Sequence, residues 1–161
     1  MKTIKLIFWG ILLLYAQILL AEKFSLLGII PNFLIAYIIY VNIKTGLITS
    51  LSISFFLGLL FDLVQPNLLG LHSLSFITIS LLIQNFHPSI NKKRFIVVLF
   101  SILFVNFIYY LLFVLYHFIS LQKLPGFFLL FLFAVAYNTF ISIISIYFFT
   151  IMSKLKLTID V

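Results

Sequence analysis

The sequence predicts an all-α, polytopic membrane protein: a bundle of six transmembrane helices forming one integral domain over residues 1–161. Three observations carry this. The chain is 65% hydrophobic and 8% charged, with a mean hydropathy of +1.33, whereas soluble domains are roughly 45–50% apolar and about 25% charged. It lacks the polar surface that a water-soluble globule needs. The apolar residues come in continuous runs, each near the roughly 20 helical residues that cross a hydrocarbon core of about 30 Å. They lack the alternation of lipid-facing β-strands. Finally, the ten basic residues fall in small groups between the runs, the pattern that sets membrane topology.

Charges and Pro/Gly punctuation divide the chain into spans at 6–21, 24–43, 47–64, 68–86, 95–119 and 125–152. With both termini in the cytoplasm, Lys2, Lys5, Lys44, Lys92, Lys93, Arg94, Lys154 and Lys156 lie inside. Lys23 and Lys123 lie outside, a bias of eight to two. The opposite orientation inverts the bias, and five spans would scramble it. Lys2 and Lys5 before an apolar run resemble a signal peptide. Cleavage after Ala21 would want a small residue where Leu19 stands, so the first span is read as an uncleaved helix.

Composition also narrows the chemistry. No cysteine is present, which removes disulfides, thiolate zinc sites and thiol catalysis. Three acids and three histidines leave little for metal binding or proton transfer. No phosphate loop, Ser–His–Asp set or metal-spaced histidine pair occurs. The expectation is no enzyme, no cofactor and no metal site. The net charge of +7 is dispersed rather than patched, so nucleic acid is not an expected partner. The short group Lys92, Lys93 and Arg94 reads first as a topology signal and second as a contact for anionic phospholipid.

The polar residues inside the spans are therefore the informative ones. Gly46, Ser50, Ser54, Gly58 and Asp62 recur every four residues along the third span, placing small side chains on one helix face. Such a stripe serves either packing within the bundle or docking of a partner's transmembrane helix. Gly28, Asn32, Ala36 and Tyr40 form a related row on the second span, and the two rows are candidates to face each other. Asp62 lies 18 residues beyond Lys44, or roughly 27 Å along a helix, near the external interface. Gln65, Pro66, Asn67 and Gly70 then favour a turn, and His72 follows. Asp62 is expected to accept hydrogen bonds from that turn and from His72, with partner or ligand contact as the alternative. Asn106 and Asn138 stand near the middle of the last two spans, with a mean position of 122. If those spans are antiparallel around that point, the two amides meet and hydrogen-bond, fixing register.

Three segments carry a resemblance. They are Pro31, Asn32, Phe33 and Leu34; then Gly58, Leu59, Leu60, Phe61 and Asp62; then Leu69, Gly70, Leu71 and His72. Together they resemble the rod shape-determining MreD family, in which a proline opens helix two, Gly-Leu-x-x-Asp ends helix three and a Leu-Gly-x-His-like element opens helix four. The family commonly has Pro-Asp where this chain has Pro31 and Asn32, which keeps the hydrogen-bonding shape but not the charge.

The resemblance implies a non-enzymatic component of the bacterial cell-elongation machinery in the inner membrane. It implies an MreC-like bitopic partner, and through it MreB, RodA and a penicillin-binding transpeptidase in lateral peptidoglycan synthesis. The small-residue stripe would hold the partner's helix, with Asp62, Pro66, Gly70 and His72 shaping the external rim. The resemblance also implies an architecture similar to the S components of energy-coupling-factor vitamin transporters. A small-molecule-binding subunit of that kind is the alternative function. Against it, the first span offers Ala16 and Ala21, five apart, instead of the Ala-xxx-Ala docking element.

Overall fold

The computed structural model describes residues 2–90, 95–121 and 128–157. Six helices follow in order: α1 Lys2–Leu20, α2 Phe33–Lys44, α3 Leu47–Val64, α4 Leu71–Ile90, α5 Phe95–Leu121 and α6 Phe128–Leu157. Short 3-10 turns occupy Ala21–Phe24 and Pro66–Leu68. No strand occurs among the described residues, only an isolated antiparallel bridge between Leu26 and Ile29. Four stretches are long and apolar enough to cross a membrane: Thr3–Phe24, Leu47–Val64, Leu99–Tyr116 and Leu129–Met152. The basic residues Lys92, Lys93, Arg94 and Lys123 lie outside the described residues.

Helix α2 departs most from the sequence expectation. It starts at Phe33, not at Phe24, and has 12 residues, about 18 Å. That is too short to cross a core of about 30 Å alone. The apolar run before it does not continue a helix, because Leu26 and Ile29 exchange both backbone hydrogen bonds around a tight turn. Leu27 and Gly28 sit there at φ +52° and +79°. Pro31 then lacks a donor, and Asn32 takes the N-cap position with its side chain accepting from Leu34 and Ile35 N–H. Hydrophobicity alone does not distinguish this turn from a helix, whereas the Pro-Asn pair does.

Eight of the twelve α2 residues are buried, and the helix packs against α1, α3, α4 and α6. A helix apolar on all sides belongs at the centre of a bundle. Leu34, Ile35 and Ile38 join Phe76, Ile79 and Ile83 of α4 and Ile102 and Val105 of α5 in the main core. The Lys44 end of α2 is closed by Gln84 of α4. Its amide nitrogen donates to Asn42 O at 3.1 Å, Thr45 O at 3.2 Å and Ser50 Oγ at 3.2 Å.

The small-residue stripe on α3 faces α4. An added Cβ at Gly58 would lie 2.5 Å from Ser73 Cα and 2.8 Å from Ser73 N, so the two backbones meet at closest approach there. One and two turns before it, Ser54 Oγ meets Ser80 Oγ at 2.9 Å and Ser50 meets Gln84. Packing against α4 therefore occupies this face, and α2 also touches α3. Gly28 precedes α2 altogether, while Ala36 is buried among the α2 contacts.

The register of α5 against α6 also differs from expectation. Asn106 Nδ2 donates to Ser142 Oγ at 3.3 Å, and Asn138 Nδ2 donates to the Tyr110 hydroxyl. Both pairs, 106 with 142 and 110 with 138, have a mean position of 124 rather than 122. The partner of Asn106 is thus displaced by four residues, one helical turn. The two amides do not hydrogen-bond each other among the described residues, because Asn138 is engaged by α2 instead.

Candidate functional site

A helix that begins inside a bundle leaves its first N–H groups without intrahelical partners. In a membrane, irregular backbone is tolerated only where protein or a water-lined cavity satisfies it. Every early donor of α2 is accounted for. Asn32 N–H donates to Asn138 Oδ1 at 2.7 Å, and Phe33 N–H donates to Gln17 Oε1 at 2.8 Å. Leu34 and Ile35 N–H turn to Asn32 Oδ1 at 3.1 and 3.4 Å. Gln17 also donates to Pro31 O at 2.8 Å. Three side chains, from α1, the cap itself and α6, thus hold one helix terminus.

Gln17 was not a candidate from sequence, since one glutamine in an apolar run gives no sign of a partner 14 residues away. Gln17→Leu is expected to leave the Pro31 carbonyl and Phe33 N–H unpaired, destabilising the bundle by about 1–3 kcal/mol for each group. A thermal melt of the purified variant in detergent checks this. A melting temperature equal to wild type would contradict the role assigned to Gln17.

Close by, Asp62 ends α3 and opens α4. Its Oδ1 accepts from His72 N–H at 3.0 Å and lies 2.9 Å from His72 Nδ1; its Oδ2 accepts from Ser73 N–H at 3.0 Å and from the Ser73 hydroxyl. Asp62 is 1% exposed and His72 2%. The carboxylate satisfies the first-turn donors of α4, where the helix dipole also favours negative charge. Asp62 and His72 do meet, but as an internal clasp. Of the rim candidates, Pro66 and Gly70 are exposed while Asp62 and His72 are buried; of the stripe, Gly46 is exposed while Ser50, Ser54 and Gly58 are buried.

Between these two polar centres lies a cavity of about 580 Å³, lined among others by Asn32, Phe61, His72, Tyr109, Tyr110 and Ala134. The turn at 27–30 forms part of its wall. Asn32 Nδ2 donates to the Tyr109 hydroxyl at 2.9 Å, linking α2 to α5. The His72 ring packs tilted at 49° against Phe61, 4.3 Å away, and lies 6.3 Å from Tyr109, measured between ring centroids. Among the described residues no group of three or more His, Asp or Glu side chains comes together.

Buried polar connections, apolar outer faces and four membrane-length helices define a polytopic helical membrane protein whose polar groups organise its own interior. Within that class the chain is placed by its sequence. Residues 2–157 match the family of rod shape-determining protein MreD, and the chain belongs to it. No curated protein and no solved structure matches the chain. The family is one of shape-determining membrane proteins, and rod-shape determination is the role it brings.

Proposed function

We propose that this protein is a non-enzymatic scaffold of the cell-elongation machinery, holding an MreC-like bitopic protein in the bacterial inner membrane. Through that partner it supports lateral peptidoglycan synthesis alongside MreB, RodA and a penicillin-binding transpeptidase. Both termini face the cytoplasm, and the Asp62–His72 clasp lies at the external side. The observation that carries this reading is the family match over residues 2–157, nearly the whole 161-residue chain. Its supporting feature is a fold made of membrane helices whose polar groups are tied to one another, a suitable rigid mount for another protein's helix.

The partner's contact falls on the lipid-facing surface rather than on the α3 stripe, since Ser50, Ser54 and Gly58 are enclosed by α4. No observation favours the vitamin-transporter alternative. Co-expression with a tagged MreC-like protein tests the proposal. The two are expected to copurify from mild detergent, and depletion of this protein is expected to convert rods to spheres. Ser54→Ala is expected to leave capture unchanged. Purification of both proteins apart, with rod shape retained on depletion, would overturn the proposal.

A further inference from the structure

The cavity beside the α2 terminus has a hydrogen-bonding polarity that the surrounding structure fixes. Asn32 must turn Oδ1 toward Leu34 and Ile35 N–H to cap α2. Its Nδ2 then faces the Tyr109 hydroxyl, which serves as acceptor. Asn138 must likewise turn Oδ1 toward Asn32 N–H, and its Nδ2 makes the Tyr110 hydroxyl an acceptor. Each tyrosine O–H hydrogen is left without an acceptor among the described residues. His72 Nδ1 is engaged by Asp62 Oδ1, so in the neutral ring the proton sits on Nδ1 and Nε2 is an acceptor with no donor among the described residues.

All three residues line the cavity. Tyr109 is 5% exposed, and its ring centroid lies 6.3 Å from His72 and 5.3 Å from Tyr110. The side chains lining the cavity therefore carry two O–H donors and one nitrogen acceptor not engaged among the described residues. One hydroxyl group, with two lone pairs and one O–H, matches that set. The remaining walls are mostly apolar, including Phe61, Phe131 and Ala134. A volume of about 580 Å³ is within the usual range for small-molecule pockets, about 300–1,000 Å³, and far above the roughly 30 Å³ share of one water. No lysine or arginine is among the described residues lining it, whereas Glu22 is. An anionic headgroup finds no counter-charge there.

We infer that this cavity binds a neutral, hydroxyl-headed amphiphile, its hydroxyl held by Tyr109, Tyr110 and His72 and its hydrocarbon body against the apolar walls. This site is independent of the scaffold role. Native mass spectrometry of the purified protein with 1-monooleoylglycerol, methyl oleate or oleate tests it. A one-to-one adduct is expected with 1-monooleoylglycerol. Methyl oleate, which cannot donate, and oleate, which is charged, are each expected to bind at least about fivefold more weakly. Equal adducts with all three would mean apolar partitioning, and no adduct would mean that water alone suits the site; either result overturns the inference.

Two variants test the polarity itself. Tyr110→Phe removes one donor while Asn138 Nδ2 keeps Ala134 O, and about fivefold weaker binding of 1-monooleoylglycerol is expected. Asn32→Asp keeps a capping oxygen, but its second oxygen draws the Tyr109 O–H away from the cavity, with a similar expected loss. Wild-type affinity in a folded Asn32→Asp protein would contradict the polarity argument. If that variant does not assemble, Tyr110→Phe decides alone, and wild-type affinity there overturns the site.

Discussion

Gly58→Ala is expected to destabilise the bundle by about 1–3 kcal/mol, the usual range for overpacking a close contact, and Gly58→Leu to prevent its assembly. A Cβ there would lie 2.5 Å from Ser73 Cα, with Ser73 N and His72 C also within 3.0 Å. These are backbone atoms at the first turn of α4, so no side-chain rotation relieves the contact. Relief requires α4 to move away from α3. That displacement would loosen the bonds from Asp62 to His72 and Ser73, one turn further along, and would open the wall of the cavity. Gly46 provides the control. A Cβ at Gly46 meets nothing within 4 Å, so Gly46→Ala should cause a much smaller change. Thermal melts of the purified variants, together with their membrane expression levels, separate the two positions. Equal melting temperatures for Gly58→Ala and wild type would mean that α3 and α4 do not meet as described.

The second large effect is expected at Asp62. Asp62→Leu leaves His72 N–H, Ser73 N–H and the Ser73 hydroxyl without their acceptor. Each buried unpaired group costs about 1–3 kcal/mol, so the total exceeds the Gly58→Ala loss. Asp62→Asn should be intermediate. It keeps one acceptor oxygen, but its amide nitrogen confronts donors on the other side. The expected order of melting temperature is wild type, then Asp62→Asn, then Asp62→Leu. If Asp62→Leu were as stable as wild type, the clasp would contribute nothing to the fold.

Much of this architecture was legible in the sequence, for reasons that can be located. The six helices follow from apolar runs bounded by charges, and α3 occupies the expected 47–64 because Gly46 and Gln65 break it at both ends. The Asp62–His72 contact was legible because both residues flank a turn of obvious composition, so their separation is short. The small stripe was legible as a close-packed face, but four-residue spacing cannot say which helix covers it.

The α2 terminus was the hardest to read. A hydropathy argument treats Leu26, Leu27, Ile29 and Ile30 as helix, although only the Pro31–Asn32 pair marks the true start. Its other holders, Gln17 and Asn138, act across 14 to 106 residues. Asn42, Ser80 and Gln84, which tie α2 to α4 at the other end, were missed for the same reason. An isolated amide in an apolar run shows that a partner exists but not where it lies. Matched depth predicts that Asn106 and Asn138 pair with each other. A backbone N–H from α2 had the stronger claim on Asn138, and a register one turn away gave Asn106 a serine.

The conspicuous small-residue face of α3 is closed within the chain by α4, which leaves the outer surface of the bundle for the proposed partner. The sequence contains no cysteine, so a Ser54→Cys, Ser80→Cys double variant offers a clean readout. The two serine oxygens lie 2.9 Å apart, close enough for a disulfide to form with small adjustment. Oxidation in native membranes should give near-complete intramolecular cross-linking, unchanged when an MreC-like partner is co-expressed. Failure to cross-link would mean that α3 and α4 do not meet at Ser54 and Ser80, and protection by the co-expressed partner would place its helix against α3.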